Sequence, residues 1–158
     1  MRLSLIASIV LLAAASCGED EGRFGSATRV VYGYGDSSVE PQYHRSYVIE
    51  ATPDSVRVVV DSYGDVLADS TYALSETRFE ALLSKLDRAE LRAVSYTGGQ
   101  RGTGGTSESF TVMRGSEVLL SGEVYHCGGE DYGTLAGDLE AASRAVRSLV
   151  PSLSELTD

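Results

Sequence analysis

Residues 125–133, YHCGGEDYG, concentrate the side chains best suited to chemistry: His126 beside Cys127, with Glu130 and Asp131 close behind. A cysteine nucleophile needs a base within about 3 Å of its thiol. Adjacent residues of a strand point to opposite faces, so a strand running through both residues places His126 badly for activating Cys127. The neighbouring acids also disfavour a thiolate, which forms near neutral pH in positive surroundings. The expected role of Cys127 is a half-buried structural thiol at a strand end, before a Gly-Gly turn. An enzyme centred on Cys127, His126, Glu130 and Asp131 stands as the alternative.

Metal chemistry has a thinner basis. His44 is the other histidine, and with His126 and Cys127 it makes three soft or borderline ligands, but CxxC, HxxH and HExxH spacings are absent. Asp61, Asp65 and Asp69 lack the alternation of a calcium-binding loop and read as turn and solvent-face residues. The glycine-rich stretch 98–106, GGQRGTGGT, offers Arg101 but no lysine to a phosphate, and GxSxG, GxGxxG and GxxxxGK[ST] do not occur. No catalytic residue, metal ligand or cofactor is expected.

Cys17 belongs to a different chemistry. Arg2 precedes an apolar run over residues 3–15, and the small residues Ala13, Ala14, Ala15 and Ser16 lead directly into the cysteine. The layout is that of a secretory signal, too short for a comfortable membrane span. Ending on a cysteine, it resembles the lipobox of bacterial lipoproteins, in which the thiol is alkylated by diacylglycerol before cleavage makes it the first mature residue. Ala14 stands where that pattern usually has Leu. The resemblance implies a signal peptide over 1–16 and lipid on Cys17; the polar, glycine-containing GEDEGRFGSA that follows reads as a flexible tether, over 17–27 with the cysteine. Gly18 rather than Asp after the cysteine favours the outer membrane, if the source is Gram-negative.

Loss of residues 1–16 leaves 142 residues, enough for one domain with a real core, and removing Arg2 takes the formal charge from −10 to −11. So acidic a surface repels phosphate backbones and anionic lipid head groups, which argues against nucleic acid as a partner and leaves the membrane, through lipid on Cys17, and an envelope protein. The twelve Arg and single Lys, Lys85, carry no mechanistic message by number. With Cys17 lipidated, Cys127 has no intramolecular partner, so packing must supply the stability.

The elements that would position these groups follow from periodicity. TRVVYGY from Thr28 is a β run, and QYHRSYVIEA sets Tyr43, Arg45, Tyr47, Ile49 and Ala51 on one face. Tyr32, Tyr34, Tyr43 and Tyr47 suit either a sheet core or an exposed recognition surface. SVRVVVDS places Val56, Val58 and Val60 together, and YGD at 63–65 turns into VLADSTYAL. Ser75 reads as a helix N-cap, stapled by Leu74 and Phe79, with Phe79, Leu82, Leu83 and Leu86 at helical spacing to about Leu86 or Leu91. A second hairpin runs through SESFTVMR and EVLLSGEVYHC, turning near Gly115-Ser116. Leu135, Leu139, Ala142, Val146 and Leu149 mark a second helix, stopped by Pro151. The expected fold is α+β: an antiparallel sheet of about six strands in the order β-β-β-β-α-β-β-α, with two helices on one face, forming a single domain over 28–153 before a tail at 154–158.

The capped LSETRFEALLSKL helix, the glycine-rich loop, the hairpin ending CGG and the last helix closing in LVPSL resemble a class of small exported bacterial proteins without assigned activity. The plan, over residues 29–153, is also similar to emfourin-type inhibitors of metallopeptidases. That likeness implies an inhibitor whose contacts are loops such as 33–42 and 98–106. In the exported relatives the CGG cysteine often pairs with one before the second hairpin, and residues 103–107 contain none. The leading expectation is a non-catalytic envelope lipoprotein that binds or scaffolds.

Overall fold

The computed structural model describes residues 22–97 and 104–158. They form one antiparallel sheet of eight strands: β1 (Arg29–Gly35), β2 (Ser46–Ala51), β3 (Ser55–Ser62), β4 (Asp65–Ala73), β5 (Arg92–Thr97), β6 (Thr106–Arg114), β7 (Glu117–Cys127) and β8 (Glu130–Ala136). Their order across the sheet is β4-β3-β2-β1-β6-β7-β8-β5. Three short helices accompany it: α1 (Glu76–Arg88), α2 (Leu139–Arg147) and α3 (Leu153–Leu156). The fold is therefore mostly β, and the expectation of a six-stranded α+β domain with two packed helices is overturned.

Two strands account for the difference in the sheet. RAVSYT follows the expected helix and is assigned no element; α1 stops at its C-cap Ala89, Glu90 takes a positive φ of 51°, and the chain leaves as edge strand β5. EDYGTLA is poor in apolar residues and hides its pairing. Gly128 and Gly129, at φ 65° and 84°, supply the two positive-φ positions of a tight hairpin turn, which folds β8 back on β7. Gly133 then lets the strands close: a Cβ there would strike the Glu123 carbonyl. Leu135, expected on a helix, is consequently a buried residue of β8, and α2 begins after the N-cap Asp138.

One face of the sheet is covered. Val30, Tyr32, Ile49, Val56, Val58, Val60, Phe110 and Val112 are fully buried and share one core with Phe79, Leu82, Leu83 and Leu86 of α1 and with Ala142 and Val146 of α2. Leu74 and Phe79, the staple pair, are both buried, and the Ser75 hydroxyl accepts the Arg78 N–H. The helix α1 carries the chain from edge strand β4 to edge strand β5, and its end is joined to the start of α2 by the Asp138 N–H donating to the Ala89 carbonyl. The opposite face, with Val31, Val48 and Val59, is open or half-open to solvent.

The segment before β1 is part of this core. Phe24 is 1% exposed; its N–H donates to Asp87, and the Arg23 guanidinium, 5.0 Å above its ring, donates to the carbonyls of Leu91 and Leu119. At the other terminus Leu153 and Leu156 of α3 pack against the core, and Arg45 donates to the Asp158 carbonyl. Phe24→Ala should lower stability by about 3–5 kcal/mol, the usual result of emptying an aromatic site. Tyr43→Ala, at a side chain 68% exposed, should change it by no more than about 0.5 kcal/mol. Urea unfolding of the purified chain measures both.

Candidate functional site

The β7–β8 hairpin fixes the geometry of the suspected chemistry. Across its Gly-Gly turn Cys127 pairs with Glu130 and His126 with Asp131. His126 lies on the face that carries buried Val124, and Cys127 on the other. The structure therefore brings His126 to Asp131 and separates it from the thiol. His126 Nδ1 lies 2.6 Å from Asp131 Oδ1, and its Nε2 lies 3.6 Å from Glu108 Oε2. On its other oxygen Glu108 accepts a 2.6 Å bond from the Tyr32 hydroxyl. Tyr32 is 0% exposed, so the relay Asp131–His126–Glu108–Tyr32 runs from solvent into the core. A neutral His126 donates from Nδ1 to Asp131; a protonated one presents N–H groups to both acids.

Aromatic packing backs this relay. The Tyr32 ring lies 4.9 Å from Phe110 and 6.2 Å from Tyr47, and Tyr34 stacks on Tyr47 at 5.1 Å. Tyr32 and Tyr47 are buried, Tyr34 is half-buried, and Tyr43 is exposed, so the four tyrosines divide between core and surface. Burial drives the Tyr32 phenol far above the usual range, helped by its hydrogen bond to Glu108. Burial also raises Tyr34, and it raises Tyr47 against the opposing charge of Arg147 at the end of α2.

The remaining candidates do not converge. His44 is buried in the β1–β2 loop, stacked on Tyr63 at 3.9 Å, with Nε2 3.3 Å from the Ser46 hydroxyl and Nδ1 lacking a partner among the described residues. Its loop is tied to the β3–β4 turn, where Ser62 donates to the Pro41 carbonyl and Tyr63 to that of Val39. Asp61 caps that turn through the Gly64 N–H, and Asp69 pairs with Arg57, whose hydrogen bonds hold its carboxyl below the usual range. Among the described residues no three His, Cys, Asp or Glu side chains are placed to hold a metal ion. Cys17, Arg101 and the stretch 98–103 lie outside the described residues.

Sequence reasoning overlooked a trough of about 180 Å³ crossing β2, β1, β6 and β7 at the end of the sheet nearest the β1–β2 loop. Its floor is made of small residues in register: Gly33 faces Ser109 and Gly35 faces Ser107. A Cβ on Gly33 would come within 2.7 Å of the Ser109 hydroxyl, and one on Gly35 would collide with Ser107. Ser46 and Asp61 contribute polar groups to its walls, while the Glu108 carboxylate is turned to Tyr32 on the covered face. The signal was present in the period-two glycines of YGYG and the period-two serines of SES, which read as ordinary strand alternation until the strands are paired.

Comparison of the chain with protein-family models, with curated proteins and with solved structures finds no match.

Two outcomes follow from the geometry. Because the ring of His126 is directed to Asp131 and Glu108, His126→Ala should leave the alkylation rate of Cys127 unchanged between pH 6 and 9. A severalfold fall would mean that the ring assists the thiol. The three raised tyrosines remain protonated in the folded state above about pH 10, where the unfolded chain's phenols ionise. Their contribution to stability is thus complete below that pH and is lost above it. Urea midpoints should fall as pH climbs past about 10, with less of the fall in Tyr32→Phe.

Proposed function

We propose that the chain is a lipid-anchored envelope protein whose domain is a non-catalytic binding or scaffolding module. The observation that carries this reading is the separation of its two ends. Phe24 and Arg23 lock the N-terminal segment beside the end of α1 and the start of β1. From there β1 runs seven residues, about 23 Å, to Gly35, where the trough and the His126 relay lie. Five residue steps separate Cys17 from Gly22, a reach of at most about 18 Å. Lipid on Cys17 would keep the near end at the bilayer and leave the trough facing away from it. Acyl chains contribute about 0.8 kcal/mol per buried CH₂, so two or three of them hold a protein without any spanning helix.

A binding role is supported by the nature of the far end. The trough is shallow and has hydroxyls and carboxylates at its walls, while the most reactive side chain nearby, Cys127, lies on the strand face opposite its adjacent histidine. An acidic envelope protein of this kind would take a basic or neutral partner rather than nucleic acid.

The experiment is made on the full chain in its host envelope. Cys17→Ser should abolish incorporation of labelled fatty acid and leave unprocessed precursor, and unchanged labelling and processing would refute the anchor. Partners crosslinked to the wild type should be lost when Ser109→Trp fills the trough, whereas retention of all of them would place the contact elsewhere.

A further inference from the structure

We propose that the groove between α1 and α2 docks on the anionic head groups of the membrane that holds the chain, fixing the orientation of the domain. The inference rests on the lipoprotein reading and adds to it a surface and a lipid class. The groove has a volume of about 490 Å³. Its floor is apolar and close to backbone, made by Ala89, Ala141 and Ala145, and its rim carries Lys85, Arg88 and Arg144. Among the described residues Asp138 is the one acid lining it, and that carboxylate is already engaged as the N-cap of α2. Arg144 is paired with Glu140, but Lys85 and Arg88 are exposed and make no ion pair with the described residues. In a chain with a formal charge of −10, three of thirteen basic residues thus meet around one groove.

Position selects lipid over other anions. Asp87, the residue that accepts the Phe24 N–H, lies on the flank of α1 away from the groove, so the groove and the point where the chain departs toward Cys17 share only the C-terminal end of that helix. Among the described residues the opposite end of the strands carries Asp36, Glu40, Asp61, Asp65 and Asp131, with Arg45 the basic residue among them. A negative surface repels that end and attracts the groove, which gives the tethered domain one preferred attitude. Attraction of this kind decays within about 10 Å at ordinary salt, a range that a short tether satisfies. Each basic residue near an anionic bilayer contributes roughly fivefold in occupancy. Residues 18–21 contain Glu19, Asp20 and Glu21, so any dependence on anionic lipid must originate in the domain.

The test uses the full acylated chain carrying Cys127→Ser, with a fluorophore on Ser148→Cys at the groove or on Ser38→Cys at the far end. The chain is reconstituted in phosphatidylcholine vesicles with nitroxide-labelled head groups, with or without one third phosphatidylglycerol. Quenching at position 148 should rise severalfold with the anionic lipid, and quenching at position 38 should not. Lys85→Gln with Arg88→Gln should lower the occupied fraction by up to about 25-fold, as should half-molar salt, while circular dichroism stays unchanged. Equal quenching at position 148 in the two vesicles overturns the proposal. So does a groove that binds polyglutamate peptide without responding to lipid charge, which would assign it to an acidic protein segment. If the isolated chain has no acyl group, the anchor has failed and the groove is read separately: added vesicles should still recruit the chain in proportion to phosphatidylglycerol, and no recruitment overturns docking as well.

Discussion

The pairing of β1 with β6 holds the sheet together. On one side of it lies the antiparallel meander β1 to β4, and on the other β6, β7, β8 and β5 form a second set. Only this seam joins the two sets within the sheet, and it brings together residues as distant in sequence as Tyr32 and Phe110. Closing so long a loop costs entropy that grows slowly with its length, so the contacts at the seam must be strong ones. Val30 faces Val112 and Tyr32 faces Phe110, all fully buried, and the Tyr32 hydroxyl finds Glu108 on the same strand. A hydrogen bond to a charged group contributes about 1.5–3 kcal/mol, and removing either partner would strand the other in a half-buried setting.

The same seam makes the trough. Residues of β1 alternate between faces, so the positions between buried Val30, Tyr32 and half-buried Tyr34 are Val31 and Gly33, with Gly35 next. Opposite these glycines stand Ser109 and Ser107. Large side chains knit the covered face while their absence opens the other, and one strand pair thereby provides both the stability of the sheet and its concavity. The tie between His126, Glu108 and Tyr32 extends this coupling to the β7–β8 hairpin.

Much of the chain was readable from its residues because local rules agree with the fold. Val56, Val58 and Val60 alternate and are buried, Ser75 caps a helix whose apolar stripe is buried, and the valine-rich start of β1 is central. The strands that escaped notice are those in which tertiary contact overrides local preference. β5 is a half-polar edge strand with a single neighbour, and β8 relies on glycine for its turn and its close approach to β7. The helix pattern that included Leu135 failed because that leucine serves the core from a strand. Phe24 was hidden inside a polar, glycine-containing stretch where periodicity has nothing to detect. The trough escaped for a different reason: a small residue marks a site only when the strand beside it is known.

The function proposed for the fold rests on a separation of anchor and trough, and it depends on what Cys17 carries. The most direct measurement is mass spectrometry of the N-terminal peptide of the mature chain isolated from envelopes. The account predicts a chain that begins at Cys17 with diacylglycerol in thioether linkage to its sulfur. A mature chain that begins elsewhere, or that has a free thiol at Cys17, would contradict it.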